Sequence, residues 1–178
     1  MLNKLLQIIK EELPAMLQDI GRWKSMVMDR YKPVINRAYT KVGEDLLSLH
    51  RMDCFGTKGK ALFHPHPWPG AFYILKGTYK LKLGVTADLV AKFPETAATL
   101  YLKEHCSYEM PSPYTWHAVE PIDDCTYTIM LNGPTWPVGV RHSLIHHESD
   151  EELGFKPMND ETLRKHLNEF EGLIAAMP

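Results

Sequence analysis

His64 and His66 stand two residues apart in the stretch FHPHPWPG, residues 63–70. On an extended strand, side chains two apart point to the same face, so both imidazoles are presented together. Such a pair offers two nitrogens to one divalent ion, at about 2.0–2.1 Å for zinc and with similar demands for other metals. A third ligand must come from elsewhere in the fold. His117 is the best placed, because it follows MPSPYTW, where two prolines open a new strand that a barrel could bring back to the pair. His50 and Arg51 are adjacent and, on a strand, face opposite ways. Whichever turns inward puts a polar group into an apolar interior. Arg51 has the planar fork that anchors a carboxylate or phosphate, with a rim ion pair as its plainer use.

Other residues carry weaker signals. Trp68, Trp116 and Trp136 flank the histidine segments and would form either an aromatic lip or loop packing. Phe72, Tyr73 and Tyr79 read as core. His142 and His146 have the i, i+4 spacing of a helical metal pair, but their surroundings are not clearly helical. They and His147 read as surface residues. Cys54, Cys106 and Cys125 are odd in number and lack Cys-x-x-Cys spacing, which excludes a disulfide scaffold or zinc ribbon. Cys106 alone has a neighbouring histidine, His105, that could activate it.

These residues need strands to position them. Residues 42–140 supply short alternating runs, with Leu47 and Leu49, Ala71–Leu75, and Tyr79, Leu81 and Leu83 between lysines. Lys76-Gly77 and Asn132-Gly133-Pro134 punctuate them as turns. Further strands are predicted at Leu100–Lys103, Ser107–Met110, His117–Val119, Thr126–Leu131 and Val138–Ile145. Thr86–Thr99 reads as a loop or small helical insertion. Ahead of the strands, Leu2, Leu5, Leu6, Ile9 and Leu13, then Leu17, Ile20, Trp23 and Val27, have helical spacing, with Pro14 at the break and Pro33 at the end. Leu163, Leu167, Phe170 and Ile174 predict a C-terminal helix capped by Asn159 or Asp160.

Composition narrows the function. The 178 residues are 44% hydrophobic, enough for a core, and the net charge of −2 provides no basic field for a nucleic acid or an anionic membrane. No apolar run approaches the roughly 20 residues that span a bilayer. MLNKLLQIIKEELP reads as too short and too charged for a signal peptide. A cytoplasmic protein that binds a small-molecule substrate is expected, with a homodimer left open.

His64-Pro65-His66, the strand FYILKG ending at Gly77, and Pro111-x-Pro113-x-x-x-His117 together resemble the two motifs of the cupin superfamily, over roughly residues 46–134. LHRM and LNGPTW on either side are similar to little-characterised bacterial and phage-type cupin proteins. The resemblance implies a mainly β protein, a single cupin-type β-barrel or jelly roll with N-terminal helices and a C-terminal helix. Its expected parts are residues 1–41, a helical segment packed on the barrel, residues 42–148, the barrel, and residues 149–178, a loop and helix, all in one domain. It also implies His64, His66 and His117 as metal ligands. The family's usual acidic ligand falls on Gly70, with no carboxylate within two residues, and the second motif's glycine is replaced by Pro113 or Tyr114.

The resulting three-His set resembles that of thiol and diketone-cleaving dioxygenases. This implies a mononuclear non-haem iron enzyme that oxidises a small polar or anionic molecule, with zinc, manganese or nickel as other metals. Thiol dioxygenases use a tyrosine near the metal; Tyr127 departs from their spacing and is a pocket candidate, and Arg51, by its own chemistry, is the candidate anchor for an anion. Two other readings stand beside this one. One is a metal-dependent isomerase or lyase of a sugar-like substrate, with Glu109 or Tyr127 as base. The other is a non-catalytic metal- or ligand-binding cupin.

Overall fold

The N-terminal leucines form a helix, α1 (Leu2–Glu11), that buries Leu5, Ile8 and Ile9. Pro14 lies in the first turn of α2 (Leu13–Leu17), where a missing N–H removes no helical hydrogen bond. A single 3-10 turn, Ile20–Arg22, follows, with Asp19 accepting from the Gly21 N–H. The predicted longer helix goes no further. Lys24–Met28 is strand β1 and Val34–Val42 is strand β2, paired from Lys24↔Tyr39 to Met28↔Ile35. The helical segment therefore ends near residue 22 instead of 41. The spacing of Leu17, Ile20, Trp23 and Val27 suits a helix, but Val27, Val34 and Ile35 are β-branched, and pairing with a neighbouring strand overrides a weak local preference.

The computed structural model describes residues 1–29, 33–53, 63–86, 94–137 and 155–177. The predicted strand at Val138–Ile145, with His142, His146, His147 and Cys54, lies outside the described residues. After β2 come β3 (Asp45–Asp53), β4 (His64–Pro65), β5 (Gly70–Lys76), β6 (Tyr79–Val85), β7 (Ala98–Leu102), β8 (Ser107–Met110), β9 (Thr115–Pro121) and β10 (Cys125–Asn132), then α3 (Asp160–Ala175). They make two antiparallel sheets, β1-β2-β3-β10-β5-β8 and β4-β9-β6-β7. The chain is thus mainly β, two antiparallel sheets with N-terminal helices and a C-terminal helix, as expected from the sequence. No described helix is long and apolar enough to cross a membrane.

The six-stranded sheet is covered on both faces. Its outer face carries Leu47, Leu49, Ala71, Tyr73, Leu75, Ile129 and Leu131. These pack with Leu5, Ile8 and Leu13 of α1–α2 and with Leu163, Leu167 and Phe170 of α3. Asn159 caps α3 by accepting from the Thr162 N–H at 2.8 Å, and Asp160 and Glu161 occupy the first turn, where the helix dipole favours them. The inner face meets the second sheet through two small apolar clusters, Met52, Ile74, Tyr79 and Leu81, and Phe72, Met110 and Met130. Between them lies a polar interior.

Gly77, at the β5–β6 turn, has φ +86°, and a Cβ there would lie 2.8 Å from the Cys125 carbonyl oxygen. Backbone preference and close approach both exclude a side chain. Gly77→Ala should cost about 1–3 kcal/mol. This would be read as a lower urea midpoint at unchanged m-value; an unchanged midpoint would show that the turn tolerates the methyl group.

Candidate metal centre

β4 and β9 are paired so that His64 stands opposite His117. His66 follows β4 immediately and returns to the same point. The ligand nitrogens of His64, His66 and His117 all lie within 4.8 Å of one another, and the Nε2 atoms of His66 and His117 are 2.9 Å apart. Two nitrogens each about 2.0–2.1 Å from one ion and at right angles would be separated by about 2.9 Å. Bringing all three onto one ion asks a movement of roughly an ångström. His117 is 4% exposed, while His64 and His66 keep part of their surface open.

The electrostatics suit ligation. Burial, and then the neighbouring His64, hold the His66 and His117 rings well below the usual histidine range, so both stay neutral with a lone pair available. Among the described residues the cluster contains no carboxylate. A Cβ on Gly70, the position where an acidic ligand was missed, would meet the Phe72 ring at 3.0 Å. That ring lies against His66 and His117, with centroids 5.8 and 5.5 Å away. An aromatic wall thus stands where a fourth ligand would enter. Three converging nitrogen donors, two of them held neutral, fit a divalent transition metal such as iron or zinc.

The same shifts set the acid stability of the metal-free protein. The unfolded chain's histidines titrate near the ordinary histidine value of about 6.5, while folded His50, His66 and His117 take up protons only at lower pH. Below about pH 6.5 the unfolded chain therefore binds more protons, and stability falls as pH drops, by up to about 1.4 kcal/mol per pH unit for each histidine. Above that pH the contribution is fully present. Melting of the metal-free protein should reveal the slope between about pH 6.5 and 4.5; a flat profile would show that the rings are not buried neutral.

The structure places the other sequence candidates elsewhere. Arg51 and Tyr127 are a cross-strand pair on the outer face of the six-stranded sheet, under α3. Arg51 reaches Asp53 Oδ1 at 3.0 Å and Glu169 Oε2 at 3.3 Å, and Tyr127 donates its hydroxyl to Glu169 Oε2 at 3.1 Å. Burial and then Glu169 push the Tyr127 phenol up. Neither residue joins the histidines, because alternation along β3 and β10 turns His50 and Thr128 inward and these two outward. Glu109 also faces outward, bonded to the N-terminal ammonium at 2.9 Å. Of the tryptophans, Trp68 approaches the site, 5.1 Å from His66 between ring centroids. Trp116 packs against Phe63 on the far side of β9.

Sequence reasoning missed Tyr108. Its hydroxyl lies 3.3 Å from His117 Nδ1, and its ring stacks on Phe72 at 4.5 Å and 2°. Burial pushes the phenol above its usual range, so it stays protonated. It can therefore fix the orientation of the His117 ring while Nε2 faces the other histidines. Alternation in Ser107–Met110 placed Tyr108 and Met110 on one face, but only the Tyr108↔Phe72 register shows that this face is the inner one.

No family model matches the chain, and no curated protein matches it. Solved structures do, one of them named as a cupin domain. Hydroxypropylphosphonic acid epoxidase from S. wedmorenis is 14% identical, with a TM-score of 0.43, covering 61% of this chain and 55% of that one. The Cnp3 cupin domain of Schizosaccharomyces pombe is 13% identical, with a TM-score of 0.43 and coverage of 56% and 60%. KdgF from Halomonas sp. is 13% identical, with a TM-score of 0.44 and coverage of 61% and 86%. The chain thus spans little more than half the length of the first of these.

Proposed function

We propose that this chain is a cupin-type metal enzyme with a mononuclear three-histidine centre, iron being the favoured metal, that oxidises a small polar or anionic molecule in the cytoplasm. The observation that carries the reading is the convergence of His64, His66 and His117 within 4.8 Å. Bound there, a redox-active divalent ion would supply the oxidative chemistry, for which no acidic or nucleophilic side chain is needed. The protein's own share is to bring three imidazoles together with His66 and His117 held neutral, to orient His117 through Tyr108, and to exclude water with Phe72, Trp68 and the inner walls of both sheets. The isomerase or lyase reading is weaker, because its bases, Glu109 and Tyr127, both face away from the histidines.

Metal analysis of protein purified without added metal tests the reading. About one equivalent of iron or another transition metal is expected, followed by oxygen uptake with a subset of small carboxylic acids or thiols after anaerobic iron loading. Failure to retain any divalent metal would end it.

A further inference from the structure

We propose that the inner wall of the six-stranded sheet is an oxyanion-binding subsite, built from His50 and Arg37, which holds a carboxylate or phosphoryl group of a small molecule whose other end reaches His64, His66 and His117. This rests on the metal-centre reading above and extends it to the class of ligand.

Register places the parts. Arg37 of β2 is paired with His50 of β3, and His50 with Thr128 of β10, in one row on the inner face. Arg37 donates through Nε and Nη2 to Ser48 Oγ at 3.1 and 2.8 Å, which holds its guanidinium along this face. The row lies within electrostatic reach of the centre. His50 and Arg37 both help keep His66 neutral, and His50 does the same for His117.

Two observations point to a ligand. His50 Nε2 is buried and has no hydrogen-bond partner among the described residues. A buried ring nitrogen left in this state has lost its hydration without replacement, a cost that a bound polar group would recover. Thr128 Oγ1, beside it, and Tyr79 Oη are buried without a well-formed hydrogen bond as well.

The second observation is the sign of the interior. Among the described residues, no Asp or Glu occupies an inner-facing strand position. Asp45 pairs with Lys4, Asp53 with Arg51 and Glu109 with the N-terminus on the outer side of one sheet. Glu120 pairs with Lys80 and Lys82 on the outer side of the other. An interior with an arginine, neutral imidazoles and, on the metal-centre reading, a divalent ion would favour an anion by simple electrostatics. The neutral His50 ring would donate from Nε2 to one oxygen, and the guanidinium would supply the charge.

The test uses the cobalt(II)-loaded full chain, titrated calorimetrically with acetate, with the dicarboxylates malonate, succinate and glutarate, and with phosphonoacetate. A ligand with two anionic ends should bind about ten-fold tighter than acetate, which has one. His50→Leu and Arg37→Gln should each remove that advantage while leaving cobalt content, the cobalt absorption spectrum and acetate affinity as in the parent. Arg37→Lys should keep part of it. The better of phosphonoacetate and the best dicarboxylate identifies the oxyanion. If no two-ended ligand exceeds acetate, or if the variants keep the advantage, the subsite is overturned. His50→Gln replaces His50→Leu if the latter fails to melt cooperatively. A parent protein that takes up no cobalt defeats the metal-centre reading and not this one. The metal-free chain is then titrated with the same ligands: saturable binding lost in both variants supports the subsite, and absence of saturable binding overturns it.

Discussion

His66→Ala leaves a protein that melts cooperatively but no longer retains a divalent metal. One of three nitrogens is gone, the cluster offers no carboxylate among the described residues to replace it, and Phe72 occupies the approach from Gly70. Loss of metal affinity by at least about a hundred-fold is expected, since even the partners that merely orient a ligand are worth 10–100-fold. The fold survives because its main apolar core lies on the opposite face of the six-stranded sheet, against α1, α2 and α3. A domain whose metal supplied its folding energy would instead unfold. The melting temperature should drop only by the lost linkage to metal. Atomic absorption on the purified variant and far-ultraviolet circular dichroism give the two readings. Full metal retention would place the ligands elsewhere, and an unfolded variant would make the site structural.

Phe170→Ala has the largest expected effect on stability of the single substitutions. Its ring is fully buried, stands edge-on to Tyr127 at 5.4 Å and lies 5.0 Å from His166. Such truncations cost about 3–5 kcal/mol, a large part of the 5–15 kcal/mol that holds a domain together. At 2–4 °C per kcal/mol for a chain of this size, the melting temperature should fall by roughly 10 °C. Deleting residues 160–178 goes further. It removes Leu163, Leu167 and Phe170, the hydrogen bond from His166 to the Leu49 carbonyl, and the Glu169 carboxylate that Arg51 and Tyr127 share. No cooperative melt is expected from that protein. An unchanged melt in either case would mean that α3 does not stabilise the sheet it covers.

The histidine cluster was legible in the sequence because two signals coincide at it. Strand alternation puts His64 and His66 together, and two prolines open the strand that carries His117. The facing of β3 was not legible. Leu47 and Leu49 alternate with Ser48 and His50, but a sheet buried on both faces has no wet side to betray its orientation. Arg51 looked like the better anchor, and it is the residue that turns outward. Arg37 went unseen for a different reason. Apolar residues at steps of three and four extended the helical pattern past residue 22, so the strand that presents this arginine was read as part of a helical segment. Tyr127 and Tyr108 show the same limit, since which tyrosine meets the histidines depends on register between strands far apart in sequence.

Covering the six-stranded sheet on both sides separates two kinds of selection along a single strand. On β3 and β10 the odd-numbered positions hold the helices, while their even-numbered neighbours line the interior. A protein built this way can exchange the residues that meet a ligand without loosening the packing beneath its helices, because adjacent side chains answer to different constraints. New specificities can then accumulate at inner positions such as His50 and Thr128 of an otherwise unchanged scaffold, while Met52 and Met130, which pack between the sheets, stay fixed along with the outward residues.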